Sequence, residues 1–157
     1  MATDSAHDAK VERLRERYRE LLEELRTIIP GSQVLFAFLL TAPFSARFEE
    51  LDDFGRNVFV LVLLGVAAAT VFFMAPAAFH RISSRPYRRT RLRYAIRFAI
   101  TGMVLLAASM SGAVFVVTRF IFDDVAWAGA AAGAAVATLT AVLWYLLPRA
   151  RSRRSPE

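Results

Sequence analysis

The chain has 157 residues, with Lys+Arg 20 against Asp+Glu 14 for a net charge of +6; it is 56% hydrophobic, 22% charged and free of cysteine. A length of this order suits one domain, and the missing cysteine excludes disulfide frameworks, thiolate metal sites and thiol catalysis. The charges gather at both ends and in short islands between long uncharged stretches, which excludes an ordinary soluble domain and a disordered chain alike.

Residues 1–9 read as a disordered start. From 10 to 29, apolar residues fall at Val11, Leu14, Tyr18, Leu21, Leu25 and Ile28, in steps of 3, 4, 3, 4 and 3. That rhythm predicts an amphipathic helix with one heptad stripe, and Asp8 suits its N-cap. Glu12–Arg15 and Glu16–Arg19 are favourable i,i+3 pairs worth only a few tenths of a kcal/mol, and Glu16–Glu20 is a like-charge pair, so the stripe rather than the charges carries the helix. Its polar face is nearly balanced in sign, whereas helices that lie on a membrane favour Lys and Arg there. The stripe is expected either to pack on its own chain and continue into the first span or to pair with another copy; roughly two and a half heptads are short for an autonomous coiled coil. Pro30 and Gly31 predict a kink or break at the membrane boundary.

A hydrocarbon core about 30 Å thick needs about 20 apolar helical residues. Four stretches qualify: 28–44, 58–79, 96–117 and 125–147. The first is the shortest and holds Pro30, Gly31, Gln33 and Pro43. The mixed-charge residues before it are unlike the short basic start of a signal peptide, so it reads as a retained helix. Orientation follows from the arginines. The connection after the second span holds Arg81, Arg85, Arg88, Arg89, Arg91 and Arg93 with no acid, and the basic tail 148–157 adds Arg149, Arg151, Arg153 and Arg154. The other two connections carry the acids. Both termini are therefore expected in the cytoplasm, with the chain multi-pass in the plasma membrane. The excess positive charge sits where topology and anionic headgroups already account for it, so nucleic acid is not an expected partner.

The two outer connections share wording. Arg47-Phe48-Glu49-Glu50-Leu51-Asp52-Asp53 and Arg119-Phe120-Ile121-Phe122-Asp123-Asp124 each give Arg-Phe, a spacer and Asp-Asp. Glu49, Asp52, Asp53, Asp123 and Asp124 form a candidate external acidic cluster, since hard cations take carboxylate oxygens. Capping of the following helix and Arg–Asp pairing explain the same positions more simply, and no metal is assigned. Asp123 and Asp124 directly precede Val125 and suit capping well; Asp52 and Asp53 lie farther from the apolar part of span two and suit it less closely.

No span carries Asp, Glu, Lys, Arg or His in its interior, although ion-coupled transport ordinarily needs such a group. Arg97 and His80 lie at cytoplasmic ends. Serines and threonines can bond carbonyls of the preceding turn, whereas Gln33 is expected to face the bundle and find a partner there. Gly129-x-x-x-Gly133, with Gly65 and Ala69 in span two and Ala108 and Gly112 in span three, provides small-residue surfaces for close helix packing. No phosphate loop, zinc-protease pattern or nucleophile elbow is present, so no catalytic residue, cofactor or enzymatic activity is assigned.

The run Glu20-Leu21-Leu22-Glu23-Glu24-Leu25-Arg26, continued by Pro30-Gly31-Ser32-Gln33-Val34-Leu35-Phe36-Ala37-Phe38-Leu39-Leu40 and by Pro43-Phe44-Ser45-Ala46-Arg47-Phe48, resembles an uncharacterised actinobacterial family of integral membrane proteins. Ala75-Pro76 with His80-Arg81, and the later Arg97, are similar to the same family, and the likeness runs from about Leu21 to Phe120. The family is of unknown function, and some members carry a sodium:proton antiporter label. The resemblance marks Gln33, Pro43, Arg47, Phe48, Pro76, His80 and Arg81 as the first positions to mutate. The expected fold is all-α, a four-helix transmembrane bundle with an N-terminal cytoplasmic amphipathic helix. The expected role is non-enzymatic, an accessory, scaffold or oligomer-forming subunit in contact with lipid, acting as a homo-oligomer or within a larger membrane complex. The alternative is a small oligomeric channel or an ion-coupled transporter.

Overall fold

Inside a bilayer each backbone N–H and C=O must be satisfied within its own segment, so long uncharged runs become helices. The computed structural model describes residues 2–82, 88–122 and 125–147, with side chains for 12–13, 16–78, 93–122 and 125–147. In chain order the elements are α1 (Ala2–Thr41), two 3-10 turns (Ala42–Phe44 and Ala46–Glu50), α2 (Asp53–Ile82), α3 (Arg88–Ile121) and α4 (Ala126–Ala141), which continues as a π-helical turn, Val142–Leu146. Four segments are long and apolar enough to cross a membrane: Glu16–Phe44, Asp53–Ala78, Arg93–Ile121 and Ala126–Leu146.

The first helix takes one of the two courses expected of its stripe, continuing into the span, and the break expected at Pro30 does not occur. α1 runs without interruption from Ala2 to Thr41, through Pro30, so the amphipathic segment and the first span are one helix. Proline has no N–H and leaves the carbonyl four residues back without its helical donor. Packing on both sides of it supplies the reason the rod persists. The 3-4 rhythm of Tyr18, Leu21, Leu25 and Ile28 runs on in phase through Ser32, Leu35 and Leu39. Leu25 packs with Ala69, Phe73, Ala99 and Leu106, while Leu39 packs with Phe59, Val62 and Val66. Leu35 touches both groups. The stripe therefore lies in the groove between α2 and α3, and the Tyr18 hydroxyl donates a hydrogen bond to the Pro76 carbonyl at 3.1 Å. Val11 and Leu14, at the start of the stripe, lie outside the described side chains.

α2 and α3 form the central antiparallel pair, α1 packs on both, and among the described residues α4 touches only α3 of the other helices. The arrangement is a four-helix all-α layer left open at one side rather than a bundle in which α4 closes against α1 or α2. Because lipid tails are as apolar as leucine, close packing rather than expulsion from water holds such helices together. Phe73, only 1% exposed, fills the α2–α3 seam. It can do so because position 102 is glycine: a Cβ there would come within 2.6 Å of the Phe73 ring and 3.2 Å of the Ala69 carbonyl. The α3–α4 seam is built the same way. A Cβ at Gly129 would lie 2.8 Å from the Phe115 carbonyl oxygen, and one at Gly133 would lie 3.0 Å from that of Ser111.

Candidate functional site

The sequence singles out the acidic end of the molecule, and there the two connections are braced across each other. α2 begins at Asp53, five residues before its uncharged stretch, which makes Asp52 its N-cap. The Gly55 N–H donates to Asp52 Oδ1 at 2.9 Å, satisfying one of the donors that a helix start leaves open. The same carboxylate receives Arg119 from the last turn of α3. Nη1 donates to Oδ1 at 3.0 Å and Nη2 to Oδ2 at 2.8 Å, the paired geometry that guanidinium and carboxylate favour. The Arg119 side chain is 14% exposed and that of Asp52 38%. The Arg119 guanidinium also lies 5.2 Å from the centre of the Phe54 ring, which meets Phe115 edge-on at 6.2 Å. Its two hydrogen bonds to Arg119, followed by the Gly55 amide, hold the Asp52 carboxyl below its ordinary range.

A second contact runs the other way. Arg47, from the first connection, stands 5.4 Å from the Phe120 ring of the second and pairs with Glu50 at 3.4 Å in the open. Phe48 meets Phe59 edge-on at 5.1 Å, and Arg56 donates to the Glu49 carbonyl at 2.8 Å. Thus the arginine of each connection reaches a residue of the other. The repeated wording signals this exchange, but sequence alone does not say which arginine meets which partner. Asp53 is exposed at the first turn of α2, and Glu49 is exposed in the 3-10 turn. Asp123 and Asp124 lie outside the described residues. Among the described residues no three acidic or histidine side chains converge closely enough to hold a metal ion, and both Asp52 oxygens are engaged by Arg119.

Elsewhere the singled-out residues do not gather into one site. Gln33 is exposed on the outer face of α1, contrary to the expectation that it faces the bundle. The reason is its phase: the inward stripe already passes through Ser32 and Leu35. Ser32 is buried, and its hydroxyl donates to the Ile29 carbonyl at 2.8 Å. Thr70, Ser111 and Thr140 likewise donate to carbonyls four residues back, so these hydroxyls line no shared polar path within the chain. Arg97 is exposed on α3. His80 and Arg81 belong to the last turn of α2, their side chains outside the described part. Among the candidate packing residues, Ala69 is fully buried, Gly65 faces Ser109, Gly112 faces Val62, and Gly129 and Gly133 lie against α3. Ala108 differs: it is exposed, because its neighbour Ser109 occupies the inward position. Gly102 and the Tyr18–Pro76 bond are absent from the sequence reading. A glycine inside an otherwise regular apolar helix is the available signal for the first.

Residues 7–148 match DUF6328, a family of unknown function. The chain belongs to that family. The match takes in all four membrane-crossing candidates and the acidic-end brace, so the arrangement described here is that of a DUF6328 chain over nearly its full length. No curated protein and no solved structure matches it.

Proposed function

We propose that this chain is a non-enzymatic accessory or scaffold subunit of the plasma membrane, with both termini in the cytoplasm and its arginine-rich end set against anionic headgroups. The observation that carries this reading is the open side of the helix layer. α4 rests on α3 along Gly129 and Gly133 and meets neither α1 nor α2 among the described residues. Its other face carries Trp127, 76% exposed, with Leu139, Leu143 and Leu146. A helix fastened along so narrow an edge keeps its outer tryptophan and leucines for packing against another membrane helix, and van der Waals packing is what drives helix association in lipid. A transport role draws less support from the chain alone, since Ser32, Thr70, Ser111 and Thr140 turn their hydroxyls to their own helices and the two core clusters are apolar. The test is mild extraction of the tagged chain from its native membrane, followed by native mass measurement. Assemblies containing the chain and other membrane proteins are expected. A chain that emerges alone, with the same mass as after purification, overturns the subunit reading.

A further inference from the structure

Gln33, like the buried Tyr145 hydroxyl, is a polar group whose hydrogen bonds no described residue takes up. It lies seven residues beyond Arg26, about 10 Å along the helix axis. It also stands between Leu25, packed with Phe73, and Leu39, packed with Phe59, level with the uncharged middle of α2. An amide side chain spans only a few ångströms and does not reach water from there. Its residue is exposed on the outer face of α1, and no described group of the chain takes up its hydrogen bonds. A primary amide left in hydrocarbon is costly, and the cost is removed when another polar group meets it across a helix interface.

We propose that Gln33 meets Gln33 of a second copy of this chain, with the two α1 helices crossing side by side in the same orientation. A carboxamide is its own complement, donating through nitrogen and accepting through oxygen, so one such residue suffices for a two-fold contact. The surface around it fits that symmetry. Pro30, Gln33, Ala37 and Leu40 follow one another in 3-4 steps, all are exposed, and they stand away from the stripe that packs on α2 and α3. This is the spacing at which two parallel helices interlock. Ala37, one turn from Gln33, leaves room for the partner backbone, and a Cβ at Gly31 would meet nothing within 4 Å. The inference deepens the subunit reading by naming one partner, yet it concerns self-association and stands or falls separately from capture of other proteins.

The chain has no cysteine, which makes directed cross-linking simple. Purified full-length chain in phosphatidylcholine and phosphatidylglycerol vesicles, at high lipid dilution, is given one cysteine by Ala37→Cys or, as the control, by Leu61→Cys on the exposed face of α2. Mild oxidation is expected to yield a disulfide-linked pair from Ala37→Cys and little from Leu61→Cys. In an energy-transfer titration of the cysteine-free chain, Gln33→Leu weakens dimerisation about threefold to thirtyfold, the range for one interhelical polar contact in lipid, while Gln33→Asn retains most of it. Equal cross-linking at both positions, or a dimer unaffected by Gln33→Leu, overturns the proposal. So does a native membrane in which Ala37→Cys links only to a different protein. Unchanged helicity and thermal melting of Gln33→Leu establish that any weakening is not loss of fold.

Discussion

Asp52 performs two tasks with one carboxylate, and substitutions can separate them. Asparagine caps a helix start about as well as aspartate does, whereas alanine does not. Asp52→Asn is therefore expected to keep the Gly55 contact and lose the ionic pair with Arg119, and Asp52→Ala to lose both. In detergent, Tm should fall by a few degrees for the first variant and further for the second. The acid dependence has a defined sign. Because Arg119 and the Gly55 amide hold the folded carboxyl below its ordinary value of 3.8, the pair contributes fully above that value. Its contribution fades as pH falls through the lower folded value. Thermal melts should thus show no change from this group between neutral pH and about pH 5, and a decline below about pH 4 that is shallower in Asp52→Asn. Capping at Asp52 was only faintly readable, since the uncharged stretch of α2 begins farther on and the wording favoured Asp123 and Asp124, whereas α4 is capped at Val125. The particular partner was not readable, since Arg119 is remote in sequence and reaches Asp52 only because α2 and α3 are antiparallel.

At the scale of elements, α1 shows why a proline is a weak boundary when packing is continuous. The sequence displays the inward rhythm on both sides of Pro30, and the break was expected because the missing hydrogen bond is local and visible while the α2–α3 groove is not. Leu25, 3% exposed, is the anchor of the N-terminal half. Leu25→Ala is expected to cost about 2 kcal/mol or more, and Tyr18→Phe about 1 kcal/mol through the lost bond to the Pro76 carbonyl. Hydrogen exchange should localise both effects to residues 16–28, leaving the α2–α3 core protected. α4 depends instead on absence of side chain. Gly129→Ala places a methyl group against the Phe115 carbonyl and should weaken the α3–α4 seam by about 1–3 kcal/mol. A disulfide-trapping pair across that seam would read the loss. The GxxxG spacing was legible in sequence, but its partner was not, because alanine-rich helices offer similar edges on several faces.

For the whole molecule, the uncharged runs made the number and approximate extent of the helices legible, since lipid leaves the backbone no other option. The open layer was not legible, because nothing in a lipid-facing run tells it from a run facing a neighbouring helix. Gln33 illustrates the difference: polarity argued for the interior, and helical phase put it outside. The distribution of arginines gives a separate expectation about sidedness. With single cysteines introduced by Ser45→Cys and by Arg93→Cys, an impermeant thiol reagent added outside intact cells should modify the first and spare the second until the membrane is opened. The reverse pattern would invert the assigned orientation, and labelling of both from outside would remove it.

The crossed contacts between the two acidic-end connections also set where movement is cheap. Ionic and hydrogen-bonded contacts fasten the first connection, the start of α2 and the end of α3 there. Toward the opposite end the described contacts of α1 with α2 are the Tyr18 hydrogen bond and the packing around Leu25 and Phe73, which is non-directional and tolerates sliding. Over the 30 residues of α2, a tilt of about 5° displaces the far tip by roughly 4 Å. Such leverage would express any change in how two copies or another subunit grip the lateral faces at the arginine-bearing rim.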